Sequence, residues 1–335
     1  MKAKILSFSL IFLFALTAHA QTIYHGMNTI SGLTAEDVTE LDDLLNPNVI
    51  RYSISAGGPA DTMSVSEYMT WLNDELDNFD TTLLPALAER EIGVILAIHT
   101  PPGNFASREP PFPQFRIFTE AEFQTAFKDV WELLAQRYAS NTTIKAFQLL
   151  NEPAIGESPA AGLKDWYDLQ SEIVSIVRQN DSTHPVVVTA EYSSPSKLDK
   201  ITVPTNVGEA WYAINFYEPI NFLRQGVELP AYKTKYNTKK TKPKLKNKLK
   251  ATRQFQLKNK AKIYVSEFTT SHYAPKDSGP KYLNDITKFF KKYKWNWTFH
   301  AWAEDSAWDV TIPALEDGES DAITKRAAIL KKHFN

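Results

Sequence analysis

Ile144-Lys145-Ala146-Phe147-Gln148-Leu149-Leu150-Asn151-Glu152-Pro153 begins as an apolar run of strand length and ends in an acid. Residues 144–150 are mostly apolar at both odd and even positions, the pattern of a strand covered on both faces. Pro153 withholds a backbone donor and stops the strand. A carboxylate just past the C-terminal end of a buried parallel strand stands where barrels and open α/β sheets carry their chemistry. A second stretch, Lys262-Ile263-Tyr264-Val265-Ser266-Glu267-Phe268, repeats the form: an apolar strand running into a single Glu.

Outward from these two stretches, apolar runs alternate with longer amphipathic ones for eight rounds. The expected strands are Ile23–Asn28, Val49–Ser53, Gly93–His99, Ile144–Leu150, Val186–Ala190, Ala210–Phe216, Ile263–Ser266 and Trp297–Trp302. The expected helices fall near 36–45, 66–91, 120–139, 162–180, 245–260, 279–293 and 321–333, with Ser66 and Thr119 as N-caps. Residues 195–208 read as an irregular connection. Strand-helix alternation favours parallel strands with right-handed crossovers. Eight rounds predict an α/β fold: a single (β/α)8 TIM barrel of eight parallel strands, with an open sheet as the alternative.

In a barrel the chemistry sits in the loops after the strands. Those positions carry Gly26 and Asn28, Arg51, His99, Asn151 and Glu152, Glu191 and Tyr192, Asn215 and Tyr217, Glu267, and Trp302 with Trp308 beyond it. Two glutamates on separate strand ends match the pair of carboxylates that cleaves a glycosidic bond. One carboxyl is expected to protonate the departing oxygen and the other to attack carbon one. An ionised carboxylate nearby raises the pKa of its neighbour, and Arg51 stands where it can hold one of them ionised. Tyr217 can donate to Glu267, and Asn151 stands beside the acid to meet a sugar hydroxyl. Sugars stack their C–H faces on aromatic rings. Trp302 is the first candidate for that, followed by Trp308, Phe105 and Tyr192. His99 and His25 are further site candidates. Trp71, Trp131 and Trp166 lie in expected helices and read as packing.

From about Gly26 to Trp302 the chain resembles glycoside hydrolase family 5, the cellulase family of retaining barrel glycosidases. Asn151-Glu152-Pro153 is similar to the family's Asn-Glu-Pro signature, whose Glu is the acid/base, and Glu267 resembles its nucleophile. Arg51, His99, Tyr217 and Trp302 fall where the family keeps an Arg on strand two, a His on strand three, a Tyr after strand six and a Trp on strand eight. One position departs. The family usually has a His two residues before that Tyr, and here the residue is Asn215, which can donate and accept but carries no proton. The resemblance implies a secreted retaining β-glycosidase acting on a polysaccharide or oligosaccharide, with endo-β-1,4-glucanase as first choice. A β-mannanase, a β-1,3/1,6-glucanase and an exo-β-glycosidase stay open. So, from other classes, do a non-catalytic carbohydrate-binding barrel and a surface-interaction protein.

Composition bounds the rest. Lys2 and Lys4 precede an apolar run from Ile5 to Leu16, and Ala18-His19-Ala20 offers a small-x-small cleavage site. Residues 1–20 read as a secretory signal peptide, with 21–335 as the catalytic domain, secreted or periplasmic. No later stretch is apolar and long enough to span a membrane. The chain has no cysteine, which excludes disulfides and thiolate metal sites. A formal charge of −2 argues against a nucleic-acid partner. No metal or cofactor is expected, and the protein is expected to act as a monomer. Glu304, Asp305 and Asp309 read as a polar rim in preference to a calcium site. Lysines crowd residues 233–262 without a single acid, and this segment reads as a solvated helix divided at Pro243, in preference to a surface for an anionic polymer.

Overall fold

The computed structural model describes residues 22–109, 113–156, 158–203, 208–227, 229–230, 234–304, 306–314 and 323–334. The expected leader and Asp305 lie outside them. Eight strands pair in parallel and close on themselves: β1 (His25–Ile30), β2 (Val49–Ile54), β3 (Gly93–Ile98), β4 (Ile144–Gln148), β5 (Val186–Thr189), β6 (Ala210–Asn215), β7 (Lys262–Glu267) and β8 (Asn296–Phe299). Sequential neighbours pair throughout, and β8 returns to β1 through His25 opposite Trp297 and Met27 opposite Phe299. Around them lie α1 (Ala35–Leu45), α2 (Val65–Asn78), α3 (Leu84–Glu89), α4 (Ala121–Tyr138), α5 (Trp166–Asn180), α6 (Thr238–Lys248), α7 (Lys250–Asn259), α8 (Ser278–Tyr293) and α9 (Lys325–Phe334). The fold is the (β/α)8 barrel. Between β5 and β6 the described residues form only short 3-10 turns, as the irregular connection predicted.

The strands look apolar on both faces because each parity faces a different core. Met27, Ile50, Tyr52, Leu96, Phe147, Val188, Ile214 and Val265 point outward to the helices. Val49, Ile95, Ala146, Val187, Trp211, Ala213 and Tyr264 form a separate apolar plug inside the barrel. One step further toward the C-terminal ends the buried residues turn polar: Arg51, Gln148, Thr189, Asn215 and Ser266. The apolar plug shuts the lower mouth and the polar layer opens the upper one. Two indoles brace that upper rim from behind. Trp131 Nε1 donates to the Leu149 carbonyl at 3.0 Å, and Trp166 Nε1 donates to the Thr189 carbonyl at 2.7 Å.

Local chemistry corrects several boundaries. The caps are not Ser66 and Thr119. Ser64 caps α2 in a reciprocal box with Glu67, and Glu120 precedes α4 without a side-chain cap. The stretch 66–91 is two helices joined through a π turn at Phe79–Leu83, followed by Pro85, whose ring removes one backbone donor. The lysine segment does not divide at Pro243. That proline sits inside α6, and the helices part at Leu249. Leu245, Leu249 and Phe255 anchor this pair while most of its lysines stay in water. Among the described residues of this segment three lysines find acids: Lys242 with Asp285, Lys248 with Glu218 and Lys262 with Glu209. A two-stranded hairpin, Phe105–Ser107 with Gln114–Phe115, was not foreseen. Asp61 holds it by accepting from Asn104 Nδ2 at 2.6 Å and from Nε and one Nη of the Arg108 guanidinium.

Of the described glycines, Gly26 has the least room for a side chain. A Cβ there would lie 1.6 Å from the Val49 carbonyl oxygen on β2. Nothing flexible can yield, so the β1–β2 pair would have to part. Gly26→Ala is expected to lower stability by about 3 kcal/mol or more, read as a shift in the urea midpoint. A midpoint equal to that of the parent would show that the strands do not approach this closely.

Candidate active site

Arg51 rises from the middle of β2 into the polar layer and is 1% exposed. Its guanidinium makes four side-chain hydrogen bonds. Nε donates to Gln148 Oε1 at 2.6 Å, one Nη to Ser53 Oγ at 3.3 Å and Glu267 Oε1 at 3.2 Å, and the other Nη to Asn151 Oδ1 at 3.0 Å. One cation therefore ties β2 to the ends of β4 and β7. Its bond to Asn151 also settles that amide's orientation. With Oδ1 turned to Arg51, the amide nitrogen is the end left for a ligand.

Glu267 closes β7 and is 5% exposed. A register shift between Ile214 and Asn215 sets Asn215 opposite Glu267 rather than Ser266. Tyr217 Oη donates to Glu267 Oε2 at 2.6 Å, so both carboxylate oxygens are held. Burial pushes this carboxyl up. The Arg51 guanidinium, then His300 and His99, and the Tyr217 hydrogen bond outweigh it and hold the group below its ordinary value. Glu152 sits differently. It follows β4 by four residues and carries a positive φ of 39°, a sparsely populated conformation for a residue with a side chain. Its N–H donates to Ser193 Oγ at 3.2 Å, and its Oε1 accepts from Asn215 Nδ2 at 2.7 Å. Burial, then the neighbouring Glu267 charge, raise it to about 7. Two carboxyls of ordinary pKa are thus driven apart by what surrounds them.

Glu152 and Tyr192 line two cavities that meet at them. One, of about 250 Å³, runs past His99, Asn104, Phe105, Arg108 and Asn151 under the hairpin. The other, of about 390 Å³, runs past Asn215, Tyr217, Glu218 and Lys248 toward the lysine helices. Together they make one groove across the barrel mouth with Glu152 at its centre. Among the described residues no cluster of His, Asp and Glu could hold a metal ion.

The structure brings Arg51, His99, Asn151, Glu152, Asn215, Tyr217 and Glu267 together. Phe105 and Tyr192 line the groove as expected of aromatic walls. Trp302 is 2% exposed, packed in the main apolar cluster, so the structure gives it a packed wall rather than an open platform. Trp308 is half-buried with its ring 6.5 Å from His300. His300 is the residue the sequence reading passed over. Placing β8 across Trp297–Trp302 hid it inside a strand, but β8 ends at Phe299 and leaves His300 in the rim loop. Glu304 faces His300 Nδ1 at 3.4 Å, and Asp309 accepts from Thr311, so these two acids do not converge.

His25 does not belong to the site. The strand starts at His25, which puts it at the opposite end of the barrel. Its ring stacks on Trp297 at 4.7 Å, and Phe334 of α9 stacks on the same indole at 5.2 Å. Trp71, Trp131 and Trp166 are packing residues, as expected.

The model of the cellulase family, glycosyl hydrolase family 5, matches residues 16–306. The chain belongs to that family. Endoglucanase C of Acetivibrio thermocellus is 27% identical over 235 residues, which cover 60% of this chain and 65% of that protein. The match thus spans a little under two thirds of that relative's length. Endoglucanase C307 of a Clostridium species shows the same identity and coverage. Among solved structures, endoglucanase Cel5A of Thermotoga maritima aligns with a TM-score of 0.68 at 19% identity, over 93% of this chain and 97% of that one. The cellulose synthase subunit Z of Clostridioides difficile aligns at 0.67 and 17%, over 92% and 99%. These likenesses are to the fold.

Burial lowers His25 to about 4, whereas an unfolded histidine titrates near 6.5. The folded state therefore favours the neutral ring. This contribution is complete above about pH 6.5 and drains away as pH falls toward 4. His99 and His333 are lowered to about 4 by burial as well. Melting temperature is expected to fall between pH 7 and pH 4.5. In His25→Phe the fall should be shallower and kcat/KM at pH 7 unchanged. An equally steep fall, or lost activity, would contradict this placement of His25.

Proposed function

We propose that this protein is a retaining β-glycosidase of the endo-β-1,4-glucanase type, with Glu152 as acid/base and Glu267 as nucleophile. The observation that carries the reading is the opposite setting of the two carboxyls. Glu267 is held ionised by Arg51 and Tyr217, while Glu152, which makes no ion pair among the described residues, is raised to about 7. A nucleophile must be ionised and an acid protonated, and neutral pH then supplies both.

In the first step Glu267 attacks carbon one as the C1–O bond breaks. Glu152 gives its proton to the departing oxygen, and a glycosyl ester forms on Glu267. In the second, Glu152, now a carboxylate, takes a proton from water as the water oxygen attacks carbon one. The ester bond breaks, Glu267 leaves, and Glu152 is again an acid. Arg51 and Tyr217 take up the charge that returns to Glu267. The Asn151 amide nitrogen is available to the sugar 2-hydroxyl, a bond that strengthens as carbon one becomes cationic. Phe105 and Tyr192 offer ring faces to neighbouring sugars.

A groove open on both sides of Glu152 suits an internal bond of a polymer, and the relatives' name, endoglucanase, supports a glucan. The leader-like residues 1–20 support export, as does a polymeric substrate that cannot enter a cell. Among the described residues no helix is long and apolar enough to cross a membrane.

Glu267→Ala is expected to lose roughly 10⁴-fold or more in kcat on soluble β-glucan. Azide, filling the vacated space, should restore part of the turnover of an activated aryl β-glycoside and yield the α-glycosyl azide. The parent's rate should fall above about pH 7 as Glu152 loses its proton. Undiminished activity of Glu267→Ala would end the assignment.

A further inference from the structure

Asn215 occupies the place where the family resemblance led one to expect a histidine, and its surroundings give the exchange a specific consequence. Its amide has two chemically different ends, and each has one partner. Ser266 Oγ donates to Asn215 Oδ1 at 2.7 Å. The Asn215 Nδ2 end donates to Glu152 Oε1 at 2.7 Å. Ser266 is fully buried on β7, and Asn215 is 7% exposed at the end of β6. Ser266 Oγ also lies 3.2 Å from the Ile214 carbonyl, the longer of its two contacts. The serine proton goes to Oδ1, and the amide must then present N–H to Glu152. Glu152 Oε1 is fixed as an acceptor. Oε2 has no hydrogen-bond partner among the described residues, and Glu152 borders the groove on both sides.

We propose that Asn215, locked by Ser266, is the positioning residue of the acid/base. It occupies Oε1 at every stage of the reaction, so that Oε2 alone carries the proton delivered to the leaving group and recovered from water. The inference rests on Glu152 being the acid/base. A histidine in this place could donate from a charged or a neutral ring and would add a titration of its own. Asparagine cannot ionise, so its donor stays constant across the working pH range. The arrangement favours the carboxylate form, which serves the second step, where Glu152 must accept a proton from water. It opposes burial and the Glu267 charge, which favour the acid form needed first. Other groups act on Glu152 too: Glu267 on β7, Arg51 on β2, Arg224 in the loop after β6, and Tyr217 beside Glu267. His99 and His300 bear on Glu267, and the Glu218–Lys248 pair lies further along the groove. None of these contacts involves the Asn215 amide.

The test is the pH profile of kcat/KM for Asn215→Ala and Ser266→Ala on aryl β-cellobiosides of good and poor leaving ability. Removing the donor withdraws support from the carboxylate, so the basic limb in Asn215→Ala should move up by about one pH unit. For the dinitrophenyl substrate, which leaves without acid help, the second step limits turnover. There kcat should fall about tenfold with KM falling alongside it. Ser266→Ala removes one hydroxyl and frees the amide to turn. It should move the basic limb in the same direction by less, and it keeps the test in hand if Asn215→Ala does not fold. A uniform loss of rate with the basic limb unmoved, or a downward shift, in the variants that fold would overturn the proposal. If instead the parent shows no turnover of any β-glycoside, it is the glycosidase reading that fails.

Discussion

Arg51 is a guanidinium taken almost wholly out of water and placed in the barrel mouth. Left alone there it would be destabilising by several kcal/mol, because desolvation penalises the charged form. It is tolerated because Gln148, Ser53, Asn151 and Glu267 accept from it. Those partners come from β2 and from the ends of β4 and β7, so the cation fixes how three strands approach one another at the upper rim. The same bonds turn the Asn151 amide and keep Glu267 ionised. A lysine could not replace it, since a point charge lacks the planar fork that reaches four acceptors at once. The apolar plug beneath supplies the dry floor on which this network stands, and Trp131 and Trp166 fix the strand ends from outside.

The two carboxyls show what such a frame can do with identical chemistry. Both are glutamates at the barrel mouth, near enough for the Glu267 charge to act on Glu152. Glu267 has a cation on one oxygen and a phenol on the other, while Glu152 has a neutral amide on one oxygen and a neighbouring negative charge. Their contrast comes from placement alone. The positive φ at Glu152 belongs to the same arrangement: the chain leaves β4, turns sharply, and Ser193 holds the turning N–H.

The strands were legible because burial on both faces leaves a continuous apolar run, and all eight appear within a few residues of where the sequence puts them. The site was legible where chemistry follows a strand end: Arg51, His99, Glu152, Tyr217 and Glu267 all lie where their strands promised. What failed was anything set by an offset of one or two residues. Starting β1 at Ile23 made His25 look like a mid-strand residue, whereas the strand begins at His25 and the ring belongs to the lower mouth. Extending β8 to Trp302 hid His300. Ser66 looked like a cap because it precedes an acid, but Ser64 has its Glu at the spacing a capping box requires. The hairpin was missed because two or three paired residues per strand leave no periodicity to read. The orientation of Asn215 lay beyond any sequence pattern, since it depends on a serine 51 residues away.

Neighbouring side chains give two like groups widely separated proton affinities, so that below about pH 7 Glu267 is ionised while Glu152 keeps its proton. Titrating the protein with ¹³C-labelled glutamate carboxyls, assigned by Glu152→Gln and Glu267→Gln, measures that directly. Glu267 should titrate below its ordinary value of 4.5 and Glu152 near 7. If both titrate together in the ordinary carboxylate range, or if Glu152 proves the stronger acid, the account is contradicted.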